Sequence, residues 1–68
     1  MEALNDLVVS GKVRAIGASA MYGYQFYNMQ FAARDNGWAR FEAMENHYNL
    51  LYREDERELI PICKQMGV

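Results

Sequence analysis

Few side chains in this sequence could carry out chemistry, and their spacing decides how far each can be taken. His47 is the single histidine. Its free pKa near neutrality suits proton transfer, but no nucleophile or second ligand stands beside it, so it reads as a loop or packing histidine. Cys63 is the single cysteine, which excludes an internal disulfide and a cysteine-rich zinc site. It falls on the apolar side of a helical pattern and reads as a small buried hydrophobe. Ser19 and Glu45 each close a short apolar run. By residue type alone Ser19 is an N-cap, and Glu45 is a partly solvated carboxylate that accepts hydrogen bonds but donates none. Asn49 reads as a turn residue. Tyr22, Tyr24, Phe26 and Tyr27 could form a stacking platform, but no basic stripe accompanies them, so they read as a helix packing surface.

The elements that would position these groups follow from periodicity. Leu4, Leu7 and Val8 repeat at helical spacing, and Gly11 sits where a C-cap glycine belongs, which predicts a helix over Glu2–Ser10. The small and β-branched residues of Val13–Ser19 predict a buried parallel strand. Ser19 could then cap a helix running from about Met21 to Asn36, with Phe26, Met29, Ala32 and Ala33 as its apolar stripe and Asn36-Gly37 as its stop. Phe41–Glu45 alternates weakly and predicts a second strand, followed by an irregular stretch from Asn46 to Arg53. A third helix opens on Glu54, Asp55 and Glu56, a solvated acidic start that suits the positive end of a helix dipole. Leu59, Ile60, Cys63 and Met66 form its apolar side, and Gly67 stops it. Pro61 is discordant, because a proline inside a helix removes a hydrogen bond. Either the helix kinks there or its regular part begins later.

The order is helix–strand–helix–strand–helix, an α/β unit whose two parallel strands are joined by a right-handed crossover. Parallel strands want cover on both faces and neighbours on both sides, and two strands supply neither. The pattern is that of the inside of a larger α/β protein. The chain has 68 residues and is 51% hydrophobic, enough for one small domain and too apolar for a disordered tail. Its formal net charge of −2 and scattered basic residues leave no footprint for nucleic acid or an anionic membrane surface. No run is long and apolar enough to span a bilayer, and the first residues lack a signal-peptide layout, which makes a cytoplasmic location the expectation.

Two blocks carry a family resemblance. Ser10-Gly11-Lys12-Val13-Arg14-Ala15-Ile16-Gly17-Ala18-Ser19 resembles the aldo-keto reductase segment in which a helix ends in Gly-Lys and the sixth barrel strand ends in Gly-x-Ser. Glu45-Asn46-His47-Tyr48-Asn49-Leu50-Leu51-Tyr52-Arg53-Glu54 resembles the seventh strand and its loop in the aryl-alcohol dehydrogenase-like branch. The stretch Arg53–Glu58 and the following Leu59-Ile60-Pro61-Ile62-Cys63 match that branch too, and the resemblance covers residues 1–68 without a gap.

The resemblance implies that residues 1–68 are a partial domain, a fragment of a (β/α)8 TIM barrel that uses NADPH to reduce small-molecule aldehydes and ketones. Barrels of this kind run to about 250 residues, so the chain would supply roughly a quarter of one. The family's catalytic tyrosine, lysine, aspartate and histidine lie in earlier strands and have no counterpart in this sequence. The resemblance implies no catalytic residue here and two cofactor contacts, Ser19 and Glu45, which would hold the nicotinamide carboxamide. The family often has asparagine or serine where Ala20 stands and glutamine where Glu45 stands. Three expectations follow: Ser19 and Glu45 sit at one end of neighbouring parallel strands; the chain alone turns nothing over; and it self-associates through edges near Ile16 and Met44 and through lumen-facing Ala15, Gly17 and Ala43.

Overall fold

The computed structural model describes residues 1–68. Helix α1 spans Glu2–Val9 and turns Leu4 and Val8 toward the core. Its exit consumes several backbone donors: Ser10 N–H donates to the Asp6 carbonyl at 2.9 Å, Gly11 N–H to Val8 at 3.0 Å and Val13 N–H to Leu7 at 3.3 Å. Gly11 takes the positive φ of 81° that this reversal needs. Strand β1 therefore covers only Ile16–Ser19, not the expected Val13–Ser19. Val13 has spent its donor on the helix end, and strand pairing begins no earlier than Ile16 against Phe41.

Helix α2 spans Gly23–Asn36 and begins two residues later than the pattern predicts. The expected cap is also corrected: Ser19 is the last residue of β1, and the N-cap is Tyr22, in extended conformation. Gln25 stabilises this start by accepting the Tyr22 N–H on Oε1 at 3.1 Å. Gly23 is where α2 meets the next helix, since a Cβ there would come within 2.8 Å of Ile62 Cδ1. At the other end the Trp38 N–H reaches the Ala33 carbonyl at 2.8 Å across Gly37, a Schellman-type stop.

Strand β2 covers Phe41–Glu45, with the bounds the sequence predicts, and lies parallel to β1. After the irregular stretch, a single 3₁₀ turn forms at Glu54–Glu56, and helix α3 spans only Leu59–Met66. The late start resolves Pro61. With Glu58 as N-cap, Pro61 is the third helical residue, in the first turn where no intrahelical partner exists for an N–H. The helix–strand–helix–strand–helix order with parallel strands is the expected α/β architecture. No helix is long and apolar enough to cross a membrane.

The core lies on one side of the sheet, where Ile16, Ala18 and Phe41 pack against Phe26, Leu59 and Cys63. Phe26 is fully buried, and its ring lies 6.0 Å from that of Phe41. Two polar side chains pin the approach to β2. Asn5 Oδ1 accepts the Ala39 N–H at 2.8 Å, and Gln30 holds both backbone groups of Phe41.

The ladder contains an irregularity that decides which residues face which way. Ile16 pairs with Phe41, but Gly17 pairs with Ala43, so Glu42 is an extra residue on β2. Phe41 and Met44 both turn toward the helices although three positions separate them, which an unbroken alternation would forbid. This is why Phe41–Glu45 alternates only weakly in sequence.

Candidate functional site

Beyond the bulge, Ala18 pairs with Met44 and Ser19 with Glu45. Ser19 and Glu45 are thus neighbours at the C-terminal ends of two parallel strands. Both are exposed, on the sheet face opposite the core, together with Gly17 and Ala43. These residues line an open hollow of about 510 Å³. Its floor at Gly17 is bare backbone, and a Cβ there would stand 3.2 Å from the Ala43 carbonyl oxygen.

The chemistry of the pair is complementary. A serine hydroxyl donates and accepts, whereas an ionised carboxylate only accepts. Side by side, the two present one donor and several acceptors to a planar polar group. Neither the Ser19 hydroxyl nor the Glu45 carboxylate makes a hydrogen bond within the chain, with each other or with any other group. The arrangement can bind and orient. Ala20, next to Ser19, adds no side-chain polar group to the hollow.

The loop after β2 is held by local bonds. Asn49 Oδ1 accepts the N–H groups of Leu51 and Tyr52, both at 2.9 Å, so Asn49 fixes a turn as its residue type predicts. His47 lies flat on Tyr52, with ring centroids 4.0 Å apart and planes within 5°. It is a packing histidine. Arg53 pairs with Glu56. The hydrogen bond from Arg53 is the main cause holding the Glu56 carboxyl below its ordinary value, and Tyr48 acts in the same direction. The loop tip is bare, with Leu50 92% and Leu51 99% exposed.

A second cleft, of about 460 Å³, opens between the start of α2 and the 3₁₀ turn, with Tyr22, Gln25, Tyr52 and Arg57 among its walls. The tyrosines at the start of α2 correct one expectation. Tyr22 and Tyr24 are 71% and 63% exposed and stack on each other, so only Phe26 of the aromatic group packs inward. Helical spacing explains it: Phe26, Gln30 and Ala33 share the buried stripe, and the tyrosines fall off it. Cys63 is buried in the core as expected, and burial pushes its thiol pKa up, with Asp55 adding to the effect. It is an inert thiol.

Sequence reasoning missed Gln30. Its signal was available, since a polar residue four positions after Phe26 and three before Ala33 must lie on the apolar stripe. Asn46 was missed as well. Its Oδ1 is buried without a hydrogen-bond partner just past Glu45, beside a groove lined by Met44, Ile60, Cys63 and Val68.

A parallel α/β unit with its polar groups gathered where the strands end is one step of a barrel or open-sheet α/β enzyme fold. The comparison with known families makes the assignment specific. The Aldo/keto reductase family model matches residues 1–68, and the chain belongs to that family. A Schizosaccharomyces pombe protein provisionally named aryl-alcohol dehydrogenase is 59% identical over 68 residues, which is 100% of this chain and 21% of that protein. An aldo-keto reductase of Fusarium vanettenii is 57% identical, with 100% of this chain and 18% of that protein covered. The versiconal hemiacetal acetate reductase of Aspergillus parasiticus is 53% identical, with 100% and 20% covered. The chain spans about a fifth of the length of these relatives. Its three helices and two parallel strands are consistent with a fragment of the family's (β/α)8 barrel.

Proposed function

We propose that this segment forms the nicotinamide-facing part of an NADPH-dependent oxidoreductase that reduces small-molecule aldehydes and ketones. The observation that carries the proposal is the in-register pairing of Ser19 with Glu45, both open on one face at the C-terminal ends of parallel strands. A primary carboxamide offers one carbonyl acceptor and an NH2 donor. The Ser19 hydroxyl fits the first and the Glu45 carboxylate the second. The residues present therefore fit the group, even though Ala20 contributes nothing and Glu45 is not an amide.

When bound, NADPH supplies the hydride. The chain's own part is orientation: two directed hydrogen bonds hold the ring plane, and the missing side chain at Gly17 lets the ligand approach the backbone. Glu45 is exposed to solvent. No proton donor for the carbonyl oxygen is identified among these residues, so the segment by itself does not turn over.

Two assays test the proposal together. The isolated chain with NADPH and an aryl aldehyde should oxidise cofactor no faster than a protein-free control. Residues 1–68 grafted in place of the matching stretch of the Schizosaccharomyces pombe relative should give a chimera that does so. An inactive but folded chimera would overturn the cofactor reading, and turnover by the isolated chain would reveal a site elsewhere.

A second reading, that the free polypeptide is a self-associating module, rests on its open surfaces. Gly17, Ala43, Leu50 and Leu51 are exposed, and only 9 of 68 residues are buried. Apolar surfaces and unpaired edges of this kind recruit other chains. Sedimentation at micromolar concentration should show oligomers. A monomer that unfolds cooperatively would end this reading.

A further inference from the structure

The pairing of Ser19 with Glu45 depends on the extra residue in β2. Were the ladder regular from the Ile16–Phe41 pair onward, Glu42 would stand opposite Gly17 and Met44 opposite Ser19. Glu45 would then turn toward the helices, because a slip of one residue reverses every side chain. The bulge at Glu42 is therefore what allows Phe41 to stay in the core and Glu45 to stay beside Ser19.

Gln30 is the side chain placed to hold that bulge. It is 5% exposed, inside the buried stripe of α2. Its Nε2 donates to the Phe41 carbonyl at 3.0 Å, and its Oε1 accepts the Phe41 N–H at 2.8 Å. The amide thus takes both backbone groups of the residue just before the bulge, as a neighbouring strand would. Only an amide can do this: a carboxylate lacks the donor, and an apolar side chain lacks both groups. We propose that Gln30 is a positioning residue that fixes where β2 shifts register and so sets Glu45 opposite Ser19. Its functional consequence rests on the reading of that pair as the carboxamide contact; the register itself does not.

Proximity of introduced thiols reads the register without any cofactor. In a Cys63→Ala background, dibromobimane bridges two thiols that lie a few ångström apart, and mass spectrometry separates bridges within a chain from bridges between chains. The Ser19→Cys/Glu45→Cys pair should be bridged, and the Ser19→Cys/Met44→Cys pair, on opposite faces, should not. Adding Gln30→Met should lower the ratio of the first product to the second on the order of tenfold, the factor that losing two ordinary hydrogen bonds gives. Deleting Glu42 removes the extra residue, so the same pairing no longer needs a bulge. The Gln30→Met chain without Glu42 should regain the original bridging ratio, which relief of a mere packing defect would not produce. An unchanged ratio in Gln30→Met overturns the proposal. So does failure of the Glu42 deletion to restore bridging, including failure because that chain does not fold. Register retained in a chain whose grafted form ignores NADPH would instead sink the carboxamide reading and leave Gln30's role standing.

Discussion

On the helix side of the sheet, Ile16, Ala18 and Phe41 lie under Phe26, Leu59 and Cys63, and their burial is what makes the strands hold. On the other side, Gly17, Ser19, Ala43 and Glu45 meet solvent and touch no second layer. The same residues of backbone serve both faces, yet only one face is explained by the chain's own folding. Burial of apolar area accounts for the first. The second carries small residues and two polar groups where a parallel sheet normally needs cover. The difference teaches that the open face is shaped for something the fold itself does not supply.

The sharpest way to break this contrast is to damage the closed face. Phe26→Ala should cost about 3–5 kcal/mol through lost burial and a residual cavity. For so small a core that is enough to abolish the cooperative transition, read by circular dichroism against denaturant. Retained cooperative unfolding would mean that the core lies elsewhere. A smaller effect is expected from Gly17→Ala. It lies on the open face, but its Cβ would crowd the Ala43 carbonyl at 3.2 Å. The cost should be about 1 kcal/mol, the low end for overpacking, visible as a shift in denaturation midpoint.

The closed face was largely legible in the sequence. Phe26, Ala33, Leu59 and Cys63 recur at helical spacing, and the strand at Phe41–Glu45 has the bounds the pattern gives. Legibility failed where local bonds override pattern. Val13 reads as strand but donates its N–H to the end of α1. Ser19 reads as an N-cap but ends β1, because an extended Tyr22 starts α2 with help from Gln25. The bulge at Glu42 left only a blurred alternation, since an extra residue has no composition of its own. For the candidate site, Ser19 and Glu45 came from the family resemblance, and periodicity alone would have left them as a cap and a solvated acid.

Acid should separate the loop after β2 from both faces of the sheet. Glu56 has a depressed pKa, so its contribution is complete above the ordinary carboxylate range and is lost as pH falls through its folded value. Arg53 and Glu56 are surface groups, and the effect is local. Protection factors at the Leu51 and Tyr52 amides, whose N–H groups bond Asn49, should fall on acidification once the intrinsic slowing of exchange in acid is divided out, while amides under Phe26 stay protected. Equal loss of protection in both places would show that the loop and core unfold together. The smallest stability effects belong to the open face. Ser19→Ala and Glu45→Gln should each change the unfolding free energy by less than about 0.5 kcal/mol, as exposed positions without internal partners do.

That indifference to folding is what gives the deciding measurement its force. NADPH is titrated by fluorescence into the chimera carrying residues 1–68 within the Schizosaccharomyces pombe relative, and into the same chimera with Ser19→Ala. If the open face holds the carboxamide, Kd rises roughly threefold to fivefold, as loss of one ordinary hydrogen bond predicts, while the unfolding midpoint stays put. An unchanged Kd, or a rise matched by a fall in stability, would contradict the account.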